Sequence, residues 1–440
     1  MNIKTFGPVD ERSLQQLERC MTAGEAEFGV LCADHHPGYS QPIGGGIAYE
    51  GYVSPSGVGC DIGCGNKAAR TELTRADLEA LGGIEKIMRE ITRRISFGMG
   101  VSAQERVDHP VLDRIRTAEF EPQRKLLQLA RSQLGSVGSG NHYVNLMEDE
   151  EGYVWIGVHF GSRGFGHKTA SGFLALAEGR QFGERAQEGE MDSPPVLFEI
   201  DSELGRSYAA AMTLAGEYAY AGRDVVVDKV LEIIGASAVH EVHNHHNFAW
   251  REEHFGRSYW VVRKGCTPAR PGQEGFVGGS MGDESVILEG VAGKEAEESL
   301  FSTVHGAGRV MSRSQAAGRV RRRKRWACRN RDCDRVFDSV PGRGREPGKP
   351  VCPDHPDAGV QKVWVEEQVK PGVVEWPAVQ ARLREKGIVL VGGGADEAPE
   401  VYKRLPDVLA AHAGSIRVQH TLRPLGVAMA GRDVFDPYKD

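Results

Sequence analysis

The chain has 440 residues, a formal net charge of −7 and an ordinary globular composition, 40% hydrophobic and 26% charged. That balance excludes a polycation, so any nucleic acid would have to sit on a local basic patch, and no apolar run approaches the roughly 20 residues of a membrane span. The start MNIKTFGPVDERS lacks the apolar core of a secretory signal, so a cytoplasmic location is expected, where eight cysteines suggest metal ligands or packed thiols before disulfides.

Along the chain, the first feature is a glycine-dense stretch, PIGGGIAYEGYVSPSGVGCDIGCG (42–65). Helical spacing follows over 75–96, then a second glycine cluster, GSVGSGNH (135–142). A strand is expected over 153–160 (YVWIGVHF), running into the glycine turn HFGSRGFGH (159–167). The Ala/Leu/Tyr-rich stretch 202–234 predicts a long helix, and 259–264 and 285–290 predict strands. Two more glycine clusters, GGSMG (278–282) and HGAGR (305–309), complete the set. Each cluster alone could be a tight turn; five of them, nearly all carrying His, Asp, Cys or Arg, suit backbone amides brought close to phosphates. The mixture of helices, strands and polar loops predicts an α+β or α/β enzyme, without an internal repeat.

Residues 316–368 differ from the rest. They carry Cys328, Cys333, Cys352 and His355 as Cys-x4-Cys and Cys-x2-His, eighteen residues apart. In polar surroundings with no core for thiols, this spacing resembles a small zinc ribbon, and four N/S donors would make the zinc structural. The run Arg319, Arg321, Arg322, Arg323, Lys324 and Arg325 opens the segment and reads equally as an RNA-phosphate contact or a solvated surface.

Outside that segment, candidate metal donors are Asp61 and Cys64 in CDIGCG, His142 in SGNHY, His159, the cluster His243, His245 and His246, and His305. Mixed Cys, Asp and His donors suit a divalent transition metal, and a thiolate and a carboxylate could bridge two; softness alone points to zinc.

The segments GVGCDIGCG, GSVGSGNHY, VHFGSRGFGH, HHNF, RKG, GGSMG, STVHGAGRVMSR, DEAPEVYK and TLRPLGV resemble, in order, the signature blocks of the RtcB family of RNA-splicing ligases. The blocks span residues 34–427, with only the zinc-like insert outside them. The resemblance implies an α+β catalytic domain over 1–315 and 369–440 with a central site for two manganese ions and GTP, interrupted by the insert 316–368. It assigns Asp61, Cys64, His142, His159 and His246 as metal ligands and His305 as the nucleophile that takes up GMP. Asn141, Asn145, Ser280, Ser285, Gly306, Ala307, Gly308 and Tyr402 fall where the family contacts nucleotide, and Arg163, Arg309 and Arg313 where it holds RNA phosphate. The implied reaction joins a 3′-phosphate or 2′,3′-cyclic phosphate RNA end to a 5′-hydroxyl end, in tRNA splicing or RNA repair, with an archease-type activator as a further expected partner and no membrane.

Two positions depart from the family. Asn145 stands where a glutamate is usual, and Ala430-Gly431 where a Lys-Gly pair is usual, followed by nine more residues that include Lys439. A carboxylate pairs with the guanine N1–H and amino group better than an amide does, so guanine selectivity is expected to loosen. The rival readings are a dinuclear metal phosphoesterase acting on RNA ends with the same ligands, and a non-catalytic RNA-binding protein.

Overall fold

The computed structural model describes residues 1–186, 191–330, 333, 335–340, 348–431 and 434, without the side chains of Val320, Arg322 and Glu366. The Arg322 side chain, Lys439 and most of the stretch after Gly431 therefore lie outside the described residues.

Two sheets organise the chain. The smaller has five strands in the order Asn2–Thr5, Phe28–His36, Ile43–Tyr49, Arg257–Lys264, Asn247–His254, antiparallel except for the first pair. The larger follows the order Glu274–Val277, Ser285–Gly290, Ile416–Gly431, Tyr143–Glu148, Tyr153–Phe160, Gly65–Thr74, His240–His245, antiparallel throughout. Val389–Gly393 adds to it by pairing in parallel with Ile416–Gly431. Sheets that are mostly antiparallel and helices gathered against them make the fold α+β. The expected strands at 153–160 and 285–290 are present, and that at 259–264 begins two residues earlier, at Arg257.

The helix expected over 202–234 is Glu203–Ile234, 32 residues long, opened by Ser202, whose hydroxyl accepts from the Gly205 amide, and closed by left-handed Gly235. Its first half, with Tyr208, Met212 and Tyr218, packs into the core beneath the smaller sheet beside Leu31 and Ile47. Its second half, with Val226, Val230 and Ile234, packs beneath the larger sheet beside Val144, Ile156 and Val158. Each such fully buried side chain contributes about 1.5–3 kcal/mol, so one helix couples two cores. The helix expected over 75–96 is instead two, Arg75–Ala80 and Ile84–Arg94. Gly82 and Gly83 separate them with φ of 109° and 87°, values open to glycine and incompatible with a continuing helix.

The segment after Ala317 forms its own three-stranded antiparallel sheet, in which Gly318–Cys328 lies between Val336–Phe337 and Val360–Pro371. The segments on either side of it, Ser285–Gly290 and Ile416–Gly431, pair with each other in the larger sheet. No helix among the described residues is long and apolar enough to cross a membrane.

Candidate active site

Strand register builds the first half of the site. Gly65–Thr74 pairs with Tyr153–Phe160 so that Asn66 faces His159, and Tyr143 faces His159 from the other side. Cys64 and His142 immediately precede their strands, which brings both to the same end of the sheet as His159. The Cys64 Sγ lies 3.6 Å from His142 Nε2 and 3.7 Å from His159 Nε2, and His142 Nε2 lies 3.2 Å from Asp61 Oδ2. The Cys64 amide donates to the Asp61 carbonyl at 3.0 Å, a turn that aims both side chains the same way.

These donors fit a metal. A thiolate and imidazoles at about 2.1–2.3 Å from one tetrahedral ion stand about 3.6 Å apart. The His159 Nδ1 lies 2.6 Å from Asn66 Oδ1, which can only accept, so Nδ1 carries the proton and Nε2 the lone pair. Asn66 is fixed in turn by donating to the Phe276 carbonyl at 2.8 Å. Burial pushes the Cys64 thiol well above its ordinary value and holds His159 and His246 well below theirs, so a thiolate here calls for a cation beside it. His142 Nδ1 and His246 Nδ1 are buried without a hydrogen-bond partner.

His246 occupies the single residue between His240–His245 of the larger sheet and Asn247–His254 of the smaller one. Its amide donates to the Cys64 carbonyl at 2.8 Å, and its ring stacks 5.1 Å from that of His159. The histidine cluster thus divides. His243 and His245 serve Arg223, which is fully buried in the long helix and lies 2.8 Å from His243 Nε2 and 3.0 Å from His245 Nδ1. The same guanidinium donates to the Gly63 carbonyl at 2.9 Å and the Phe160 carbonyl at 2.6 Å, bracing the Asp61–Cys64 turn against the strand of His159.

His305 stands beside this cluster, its ring 4.9 Å from that of His246. Its Nδ1 lies 2.6 Å from Asp34 Oδ2, which also accepts the His305 amide at 2.9 Å and the Gly306 amide at 3.3 Å. Burial opposes ionisation of Asp34, but the imidazole and these N–H donors outweigh it and hold the carboxyl below its ordinary range. An ionised Asp34 keeps the proton on Nδ1 and leaves the lone pair on Nε2. Gly308, at φ 77°, passes so close to the Asp34 carbonyl that a Cβ would collide with it.

His305 also lines a cavity of about 240 Å³ whose walls include Asn141, Asn145, Ser280, Arg309, Arg313 and Tyr402, together with the 306–308 turn. The Asn145 Oδ1 is buried there without a hydrogen-bond partner. Glu397 organises the opposite wall. Arg309 Nη1 approaches its two oxygens at 3.3 and 3.4 Å, Arg313 Nη2 lies 3.1 Å away, and the Tyr402 hydroxyl donates to it.

Two expected contact residues lie outside this cavity wall. Ser285 is buried and accepts the Gly279 amide at 3.1 Å, fixing the 278–282 loop from behind. Arg163 donates to the Gly98 carbonyl at 2.6 Å and the Ser136 hydroxyl at 3.2 Å, tying the loop before His142 to the start of helix Arg163–Ala177. Ala430 is buried near the end of its strand and also lies outside the wall.

A family model described as tRNA-splicing ligase RtcB matches residues 21–122 and 114–342. The chain belongs to the RtcB family. The RNA-splicing ligase RtcB of Escherichia coli K12 is 32% identical over 316 residues, covering 65% of this chain and 75% of the relative. The tRNA-splicing ligase RtcB of Thermococcus kodakarensis is 31% identical, covering 71% and 79%. That of Archaeoglobus fulgidus is 30% identical over 481 residues, covering 91% and 87%.

Within this RtcB chain, Asp34, Asn66, Arg223 and Glu397 are the site residues that the sequence reading passed over. A second candidate metal group lies in the insert, where donor atoms of Cys328, Cys333, Cys352 and His355 all fall within 4.8 Å of one another. Cys333 Sγ and Cys352 Sγ are 3.8 Å apart, and Cys352 Sγ is 3.9 Å from His355 Nδ1. A tetrahedron with metal–sulfur bonds of about 2.3 Å has edges of about 3.8 Å, so the group fits one tetrahedral ion.

Proposed function

We propose that this chain is an RNA ligase that joins 3′-phosphate or 2′,3′-cyclic phosphate ends to 5′-hydroxyl ends through a nucleotidyl-histidine intermediate on His305. The observation that carries the reading is the placement of His305. It is anchored by Asp34 through Nδ1, lines the cavity of about 240 Å³ that Asn145 and Tyr402 also line, and its ring stands 4.9 Å from that of His246, which stacks on the metal donor His159.

In this reading the cavity binds GTP, with Asn145 toward the base, Ser280, Tyr402 and the 306–308 turn around the nucleotide, and Arg309 and Arg313 toward phosphate. Arg163, beside its bonds to Gly98 and Ser136, serves RNA phosphate, and Ser285, which fixes the 278–282 loop, belongs to the nucleotide side. Asp61, Cys64, His142, His159 and His246 would hold two manganese ions, which would supply Lewis-acid stabilisation of the charge on phosphoryl oxygens. His305 Nε2 attacks the α-phosphorus, a phosphorus–nitrogen bond forms, and the bond to the β-phosphate oxygen breaks to release pyrophosphate. An RNA 3′-phosphate oxygen then displaces the imidazole, and a 5′-hydroxyl attacks the activated 3′-phosphate and expels GMP. A 2′,3′-cyclic phosphate is first opened by water. Cys328, Cys333, Cys352 and His355 hold one structural zinc ion.

The test is transfer of label from α-labelled GTP to the protein in the presence of manganese. The wild-type chain should carry an acid-labile adduct, and His305→Ala should lose both adduct and RNA joining while keeping its metals. Cys64→Ala should lose metal first and the adduct as a consequence. An adduct that persists in His305→Ala puts the nucleophile elsewhere. Activity on RNA ends with no adduct at all supports a dinuclear phosphoesterase instead.

A further inference from the structure

We infer that the insert sheet carries a platform for single-stranded RNA, made by Trp326 and Trp364 with Lys324, Lys349 and Lys362 around them. Lys324 is paired across the strands with Trp364, and Trp326 with Lys362, so the two-residue alternation of strands puts all four side chains on one face. The ammonium of Lys324 lies 5.0 Å from the Trp364 ring centre, and those of Lys362 and Lys349 lie 5.2 and 5.9 Å from the Trp326 ring centre.

On the other face two of the arginines are paired. Arg325 pairs with Glu367 at 3.2 Å and Asp338 at 3.1 Å, and Arg323 reaches the same Glu367 at 3.7 Å. Arg323 and Arg325 of the arginine run are therefore partly neutralised, by Glu367 of the neighbouring strand and by Asp338 just past Val336–Phe337. The next cross-strand pair on the tryptophan face is Arg322 with Glu366, so the register gives this face four cationic positions, Arg322, Lys324, Lys362 and the nearby Lys349, against one acidic position.

Trp364 is 64% exposed, an unusual setting for the largest apolar side chain. Trp326 is held in place, its indole N–H donating to the Ser339 hydroxyl at 3.2 Å and its ring packed against Cys328, Cys352 and Val360. The candidate zinc group thus props the ring it adjoins. Flat indoles interleaved with ammonium groups match a polymer that offers stacked bases and phosphates, and a duplex would hide the base faces. The overall charge of −7 makes this cationic face stand out.

The sheet is also placed to serve the site. Arg313, on the cavity wall, opens the helix Arg313–Ala317, which runs directly into the strand at Gly318. At about 3.3 Å per residue, Lys324 and Trp326 stand roughly 20 and 26 Å along the strand from Gly318. A strand of RNA lying on the platform is held well away from its reacting end. The choice of RNA as the nucleic acid rests on the ligase reading.

The experiment measures binding of fluorescent single-stranded and duplex RNA of equal length to the full chain, alongside nucleotide-adduct formation. Trp364→Ala should weaken single-strand binding about tenfold and duplex binding far less. Lys324→Gln with Lys362→Gln should reduce the salt dependence by about 1.4 in the logarithmic slope. Zinc content and adduct formation should be unchanged in both variants. Adduct formation and joining with wild-type RNA affinity in both variants overturns the platform and leaves the ligase reading standing. Loss of binding in the variants of a chain that forms no adduct supports the platform and counts against the ligase reading alone. Concentration-dependent self-association that Trp364→Ala abolishes, with RNA affinity unaltered, makes the face a protein interface and also overturns it.

Discussion

Asp34 meets His305 twice, accepting from its ring Nδ1 at 2.6 Å and from its own backbone amide at 2.9 Å. The double contact fixes the ring's position and its tautomer together. Asp34→Asn can keep the position but lets an amide N–H face Nδ1, which favours the tautomer with Nε2 protonated. We expect adduct formation to slow by about a hundredfold to ten-thousandfold while metal content stays at the wild-type level. Single-turnover labelling with metal analysis measures both; an unaltered rate would show that Asp34 does not set the tautomer.

Asn145 leaves a buried oxygen without a partner in the cavity wall. An amide discriminates between bases less than a carboxylate, so the preference for GTP over the other three nucleotides should stay below about a thousandfold, or about 4 kcal/mol. Asn145→Glu should raise that preference by about tenfold or more. Parallel adduct rates with the four nucleotides decide the matter, and a preference above the limit in the wild-type chain would place guanine recognition in other groups.

The four donors of the insert should carry one zinc ion, distinct from the active-site metals. Cys352→Ser should lower zinc by one per chain and make residues 318–371 sensitive to protease, because metal-binding energy of about 10–16 kcal/mol is folding energy in so small a unit. Adduct formation should persist. Undiminished zinc in Cys352→Ser would contradict this assignment.

His412 supplies a pH-dependent part of the stability. It is fully buried, its Nε2 accepts the Ala33 amide at 3.1 Å, and its ring stacks 3.8 Å from Phe6. Burial holds its imidazole down at about 4. The unfolded chain takes up this proton below about pH 6.5 and the folded chain only near 4, so the contribution is complete above 6.5 and is lost as pH falls from 6.5 toward 4. The loss should reach about 3 kcal/mol. Urea titrations of wild type and His412→Gln across this range should differ in slope by close to one proton; equal slopes would rule His412 out.

Much of this architecture could be read from the chain, for identifiable reasons. The helix Glu203–Ile234 and the strand Tyr153–Phe160 have long, unbroken patterns set by burial, and His142, His159 and His246 announce themselves beside glycine and asparagine. What escaped depends on contacts distant in sequence. Asp34 lies within the nearly continuous buried run Phe28–His36 and gains meaning only from His305, 271 positions later. Arg223 looks like a surface residue of an amphipathic helix until the carbonyls of Gly63 and Phe160 are seen to need its donors. Arg163 reads as a phosphate ligand beside its glycines, and its further bonds to Gly98 and Ser136 become visible only in the fold. The arginine run reads equally as a phosphate contact or a solvated surface because its acidic partners, Glu367 on another strand and Asp338 just past Val336–Phe337, are distant in sequence.

The strand Ile416–Gly431 lies between Ser285–Gly290 and Tyr143–Glu148, and contributes Val427 and Met429 to the cavity. A nascent chain grown only to residue 415 therefore holds the larger sheet in two separate pieces, each with an open edge where this strand belongs. Closure depends on pairings more than 120 positions apart, the kind that form slowly and leave edges available for wrong partners. The cavity wall is completed only by that closure, so during synthesis the cavity beside His305 takes its final form late, after Cys64, His142, His159 and the insert have already been made.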